Sequence, residues 1–204
     1  MMSVEEMISR LREMYPCGYF HVNRDPYYML ISTVLSQRTR DEVTIPATRR
    51  LFEAFDSPLK MASAEIDEIQ VLIKDVGFYR VKAQRIIDIS RIMLKDYGGI
   101  VPDSMNELLK LPGVGRKTAN CVLGYAFEKD VIAVDTHVHR ISNRFGLVKT
   151  SSPDETEKEL EKVVSRQDWK DINGLMVLFG QNVCRPMSPR CGECRLNDIC
   201  PRIL

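Results

Sequence analysis

The chain has 204 residues, enough to bury a substantial core as one large domain or two small ones. Its 44% hydrophobic and 28% charged residues are ordinary for a soluble globular protein, and no apolar run reaches membrane-spanning length. A net charge of +1 excludes a polycationic chain, so composition alone does not mark a nucleic-acid binder.

The charge is unevenly spread, however. Residues 56–75 and 154–162 each carry five acids and two bases, whereas 76–118 carry eight bases against four acids and 36–50 four against two. If the basic stretches share a face, a nearly neutral molecule still offers a polyanion a positive surface. The start, residues 1–14, is amphipathic with mixed charge and unlike a signal peptide, so a cytoplasmic protein with no membrane partner is expected.

Hydrophobic periodicity is helical nearly throughout, with almost no period-two alternation, which predicts an all-α fold. Residues 3–14 read as a short amphipathic helix broken at Tyr15-Pro16-Cys17-Gly18. Asp25-Pro26 is a start signal for a helix from Tyr27 to about Leu35, apolar on most sides. A polar stretch follows, Ser36-Gln37-Arg38-Thr39-Arg40-Asp41. Thr39 or Asp41 is expected to cap the next helix, which carries Val43, Ala47, Leu51 and Phe55 on one face. Residues 62–74 and 79–96 read as two further helices, with Gly77 as a C-terminal cap between them. Ile86, Ile87, Ile89 and Ile92 make the second a core element, and Gly98-Gly99 ends it. Ser104 to Glu107 has capping-box spacing and places a short helix directly before a turn.

That turn is Leu111-Pro112-Gly113-Val114-Gly115. Glu107 to Lys110 leads in and Lys117 to Leu123 leads out, so the pattern is two helices joined by a sharp bend. Its glycines expose amide N–H groups at the start of the second helix, where an anion such as a phosphate is attracted. Lys117 sits in that first turn beside Arg116, and both the helix start and the arginine disfavour a charged ammonium. Eighteen positions on comes Asp135, within Ala-Val-Asp-Thr-His. Taken singly, these features read as a turn, a solvated lysine and a helix N-cap.

Beyond Asp135, Val138 to Phe145 reads as a helix stopped at Gly146. His137 and His139 diverge at this spacing, so a shared metal is not expected. Ser152 to Glu155, with Pro153 at the first helical position, opens a charged helix to about Val164, and Asp171 to about Asn182 forms the last. Four cysteines close the chain: Cys184, Cys191, Cys194 and Cys200, spaced C-x6-C-x2-C-x5-C among Arg185, Arg190 and Arg195. Four thiolates in so short a loop are built to hold a metal centre. Zinc and an iron–sulfur cluster both satisfy that chemistry, and disulfides are the weaker alternative because nothing marks the chain as secreted. Cys17 and Cys121 are isolated and read as buried thiols.

As a set, Leu-Pro-Gly-Val-Gly-Arg-Lys-Thr-Ala followed by Val-Asp-Thr-His resembles the signature of the helix-hairpin-helix DNA glycosylases, most closely the endonuclease III family. The cysteine spacing is similar to that family's iron–sulfur loop, and the resemblance covers roughly residues 25–202. It implies a 4Fe-4S cluster on Cys184, Cys191, Cys194 and Cys200, in a loop that positions basic residues against DNA. It implies a six-helix domain of about residues 20–129 containing the hairpin (about 107–124). A second helical domain would be assembled from 1–19 and 130–204, with Lys117 and Asp135 on opposite walls of the cleft between them.

The partner implied is double-stranded DNA with damaged or abasic nucleotides, met by a monomer in the cytoplasm at the nucleoid. Gly113, Val114, Gly115, Arg116 and Thr118 would meet its backbone. Gln37 or Arg38 would fill the gap left by an extruded nucleotide. Lys117 would be the nucleophile and Asp135 its assistant, in a bifunctional glycosylase and AP lyase acting on oxidised pyrimidines. A free lysine is neutral in roughly one molecule in 2,500 at pH 7, so a poised amine needs its pKa brought down by about three, worth on the order of 4 kcal/mol. Without that lysine chemistry the alternatives are a monofunctional mismatch glycosylase or a non-catalytic helix-hairpin-helix DNA-binding protein.

Overall fold

A computed structural model describes residues 4–16 and 23–203. Among the described residues there are eleven α-helices and no strand. They are α1 (Val4–Met14), α2 (Pro26–Ser36), α3 (Asp41–Ala54), α4 (Pro58–Ser63), α5 (Ile66–Leu72), α6 (Tyr79–Tyr97), α7 (Met105–Leu108), α8 (Arg116–Cys121), α9 (Thr136–Arg144), α10 (Pro153–Val163) and α11 (Trp169–Asn182). A π-helical turn, Val122–Ala126, continues α8. None of the described helices is long and apolar enough to cross a membrane. The chain divides into two compact units, Asn23–Phe127 and the pair of segments Met1–Val22 with Glu128–Leu204.

The Asn23–Phe127 unit is built around α2. Asp25 caps it, its carboxylate accepting the Tyr28 N–H at 2.7 Å, and Pro26 fills the first turn, where its missing N–H costs nothing. Leu30, Ile31, Val34 and Leu35 are fully buried, as the all-round apolar pattern requires. The buried Tyr27 hydroxyl pairs with Ser90 of α6 at 2.6 Å, and burial pushes that phenol well above its ordinary range. On α6 the buried face runs through Lys82, Ala83, Ile86, Ile87, Ile89, Ser90 and Met93, and Gly98 and Gly99 end the helix with positive φ. The end of α6 thus follows the sequence reading.

Several local expectations are corrected. The single helix expected over 62–74 is two, α4 and α5, because Ser57 with Pro58 starts one early. Glu65 and Glu68 then form a capping box that starts another. Arg40, not Thr39 or Asp41, precedes the first turn of α3, and the Thr39 hydroxyl is used by Gly77 and Lys82 instead. The buried stripe of α3 is Thr44, Ala47, Thr48 and Leu51, with Val43 and Phe55 only half-buried at its margin. Gly77 is not a left-handed cap: its N–H donates to Thr39 Oγ1 at 3.1 Å, and a Cβ there would lie 3.2 Å from Arg38 O. The left-handed residue is Phe78, at φ 59°. The capping boxes at Ser104 and Ser152 are present on the serine side. Glu107 gives its carboxylate to Tyr97 and Lys110, and Glu155 gives its own to Ser151.

The other unit joins the two ends of the chain through one core. Met7, Ile8 and Leu11 of α1 pack with Ile132, Val134, Val138, Ile141, Phe145, Leu160, Ile172, Met176, Phe179 and Leu196. Arg12 holds the buried Asp168 and the exposed Asp171, and Arg10 reaches Asp198 at 2.7 Å. Leu11→Ala should therefore cost about 2–5 kcal/mol, whereas Glu13→Ala, on the exposed face of the same helix, should stay within about 0.5 kcal/mol. Urea denaturation followed by circular dichroism would read both.

Candidate active site and metal-binding loop

The hairpin is made by α7, the turn from Leu109 to Gly115, and α8. Leu108, Leu111 and Val114 point into the core, while Gly113 and Gly115 are exposed on either side of Val114. The valine anchors the turn and the two glycines present backbone outward. Gly113 has φ 75°, which favours glycine, and a Cβ there would lie 2.7 Å from Arg85 Cδ, so the flexible Arg85 side chain would have to move. Gly115 is extended, precedes the first turn of α8, and has open space where a Cβ would go. Arg116 and Lys117 follow as half-buried residues in that turn, and Thr118, Ala119, Asn120 and Cys121 are buried behind them.

Gln37 reaches this turn from the end of α2. Its Nε2 donates to the Gly113 carbonyl at 2.8 Å and to the Thr118 hydroxyl at 3.2 Å. Next to it Arg38 is left-handed (φ 54°) and lies over the ring of Phe78, 5.7 Å from its centroid. Phe78 is 62% exposed, a large apolar ring at the same edge. Gln37, Arg38, Gly113, Val114, Gly115, Arg116, Lys117 and Thr118 all belong to the Asn23–Phe127 unit.

Asp135 belongs to the other unit, as the N-cap of α9. Its Oδ1 accepts the N–H groups of His137 (2.8 Å) and Val138 (2.9 Å). The two histidines diverge: His137 Nδ1 meets Arg140, and His139 Nδ1 meets the Thr156 hydroxyl at 2.7 Å. Gly180 of α11 passes so close to the His137 ring that a Cβ there would collide with it. Arg140 donates to the Cys184 carbonyl at 2.8 Å, and Arg144 donates to the carbonyls of Arg185 (2.6 Å) and Pro186 (2.7 Å). Two arginines of α9 therefore clamp the start of the cysteine loop.

Cys184, Cys191, Cys194 and Cys200 are all half-buried and line one pocket together with Phe145, Phe179 and Arg202. Arg144 also reaches the Cys184 sulfur at 3.7 Å, and the Leu196 amide donates to Cys194 Sγ at 3.4 Å. Burial pushes the thiols of Cys194 and Cys200 up, and the other cysteines of the loop push the same way. Among the described residues no three His, Cys, Asp or Glu side chains converge as a site for a metal ion. The four cysteines instead line one pocket. Cys121 is buried, as expected, and Cys17 lies outside the described residues.

Four contributors were missed in the sequence. Lys82 occupies the buried stripe of α6, four residues before Ile86, and that spacing was the available signal. Phe78 stood out in the sequence only as part of the junction before α6, and nothing there marked its exposure. Arg140 and Arg144 gave no signal, because their partners are backbone carbonyls distant in sequence.

Helices, hairpin and cysteine loop together define a class, and the model for HhH-GPD superfamily base excision DNA repair proteins matches residues 31–166. The chain is 53% identical over 197 residues to endonuclease III of Thermotoga maritima, spanning 97% of this chain and 92% of that one. A trapped endonuclease III–DNA covalent intermediate superposes with a TM-score of 0.90 at 36% identity, covering 99% of this chain and 97% of that one. A non-covalent endonuclease III–DNA complex gives 0.91 at the same identity and coverage. The chain belongs to the endonuclease III family.

The glycines of the hairpin make a local prediction. Gly113→Ala should lower stability by about 1–2 kcal/mol, the cost of a left-handed alanine, before any displacement of Arg85. Gly115→Ala, extended and unobstructed, should stay within about 0.5 kcal/mol in the same chemical denaturation.

Proposed function

We propose that this protein is a base-excision-repair DNA glycosylase and AP lyase in which Lys117 is the nucleophile and Asp135 assists it. The observation that carries the assignment is the lysine itself. It stands in the first turn after a hairpin with an outward backbone edge, in a chain closely related to endonuclease III. The partner is double-stranded DNA bearing a damaged or abasic nucleotide, engaged by a monomer, and an oxidised pyrimidine is the expected lesion. A stacked base is out of reach, so the nucleotide is extruded at a cost of a few kcal/mol. The backbone edge at Gly113 and Gly115, with Arg116, supports phosphate binding. Gln37, Arg38 and the exposed ring of Phe78 form the edge suited to the opened duplex, where an apolar side chain can hold unstacked bases apart.

The chemistry follows from a neutral amine. Lys117 Nζ attacks C1′ and forms a C–N bond while the glycosidic C–N bond breaks, and the base leaves with the bonding electrons and takes up a proton. Nitrogen gives up one proton, the C1′–O4′ bond breaks with its electron pair going to O4′, and O4′ takes up that proton, so the sugar ring opens and leaves a protonated Schiff base between Lys117 and C1′. Loss of a proton from C2′ then expels the 3′ phosphate and nicks the strand. Asp135 receives the proton or balances positive charge developing on the sugar. Its Oδ1 is taken by two amides of α9, which fixes the carboxylate and leaves the second oxygen for that work.

Cys184, Cys191, Cys194 and Cys200 would hold a 4Fe-4S cluster. When bound, the cluster supplies four thiolate–iron bonds that staple the loop. The half-buried cysteines around one pocket fit a polynuclear group, and the buried Phe179 and Phe145 on its wall shield it from water.

Two measurements test this reading. Borohydride should trap a covalent adduct between the wild type and duplex DNA carrying an abasic site or thymine glycol. Lys117→Ala should give none. Asp135→Asn, which keeps the helix cap, should still fold but react about 10²- to 10⁴-fold more slowly. Absence of an adduct from folded wild type would leave a monofunctional glycosylase or a DNA-binding module. Separately, the purified protein should contain about four irons per chain with visible charge-transfer absorbance, both lost in Cys194→Ser. One zinc per chain would overturn the cluster assignment.

A further inference from the structure

Lys82 is 2% exposed, and the chemistry above makes no use of it. Its ammonium donates to the carbonyls of Leu35 (2.7 Å) and Gln37 (2.5 Å) and to the Thr39 hydroxyl (3.1 Å). An ammonium has three donors, and all three are spent on a five-residue stretch at the end of α2. Those carbonyls lie where a helix runs out of its own N–H partners, at the end that favours a cation. The Thr39 hydroxyl also donates to the Gln37 carbonyl at 3.3 Å and accepts the Gly77 N–H. Backbone of Gln37 and side chain of Thr39 are thus drawn onto one charge.

The same stretch carries the edge assigned above to the opened duplex. Arg38 is held left-handed, a conformation that costs a non-glycine residue energy and persists only where its surroundings impose it. Gln37, gripped at its carbonyl by Lys82, extends its side chain the other way to Gly113 and Thr118. A continuous path of contacts runs from the buried ammonium through Gln37 to the hairpin turn. Burial and the nearby Arg85 push the Lys82 ammonium down to about 8, so the charge is retained at neutral pH.

We propose that Lys82 is a positioning residue for opening the duplex: its ammonium sets the Leu35–Thr39 loop so that Gln37 braces the hairpin and Arg38 is displayed. The assignment rests on the glycosylase and lyase reading. It makes Lys82 matter for a nucleotide that must be extruded from a helix, and not for the bond chemistry that follows. A lysine that merely fills the core would affect every substrate through the folded fraction alone.

The test is single-turnover strand nicking by the full chain on an abasic site placed either in duplex or in single-stranded DNA. Rates are normalised to the folded fraction from circular dichroism, for wild type, Lys82→Met, Gln37→Ala and the double variant. Lys82→Met should nick the duplex about tenfold more slowly, the cost of a misplaced reacting geometry, while its single-strand rate stays within about twofold of wild type. The double variant should be no slower on duplex than the slower single variant, because both substitutions break one path. Equal loss on both substrates, multiplicative loss in the double variant, or an unchanged duplex rate would each overturn the proposal. Should Lys82→Met not fold, Thr39→Val removes one acceptor at constant shape. It should give the same substrate split at about threefold, and an equal effect on both substrates would count against the proposal. Wild type inactive on both substrates would instead overturn the enzymatic reading itself.

Discussion

A buried cation, Lys82, ties two elements of the Asn23–Phe127 unit together by hydrogen bonds. Removing an ammonium from water costs several kcal/mol unless its donors are all taken. Lys82 meets that condition with three oxygens, from Leu35, Gln37 and Thr39. The end of α2 and the following loop must therefore converge on α6, whatever else the core does. Gly77 approaches Thr39 closely because it has no side chain, and the left-handed Phe78 follows it at the start of α6. Gln37 and the hairpin follow from the same convergence. One charge in the core thus fixes the geometry of an otherwise polar, exposed edge.

Much of this was legible in the sequence, and the pattern of success is physical. Asp25-Pro26, Gly98-Gly99 and Ser152-Pro153 were readable because caps act through neighbours two or three residues away, and the structure uses each of them. The hairpin was readable because the dihedral at Gly113 favours glycine, a local reason. What failed was decided at a distance. Gly77 looked like a cap, but its requirement comes from Arg38 and Thr39, some forty residues earlier in the chain. Thr39 looked like a cap, but Lys82 and Gly77 claim its hydroxyl. The helix expected over 62–74 merged two short ones because its apolar spacing alone carried the reading, while Pro58 and the Glu65–Glu68 box decided the boundaries.

In the second unit the cysteine loop and the helix bearing Asp135 form one packing problem. The N-cap of α9 presents the carboxylate, and its later turns carry Arg140 and Arg144, whose guanidinium groups hold the carbonyls of Cys184, Arg185 and Pro186. Backbone carbonyls of an irregular loop have no ladder to join, so they need donors from elsewhere, and a planar guanidinium supplies several in fixed directions. Gly180 lets α11 close on the His137 ring at the head of the same helix, and Phe145 at its foot joins the wall of the cysteine pocket. The helix is therefore gripped along its length by the elements that also shape the pocket. A loop that loses its order releases two arginines and a wall of that packing together. Its ordering thus bears mechanically on the helix whose N-cap is Asp135.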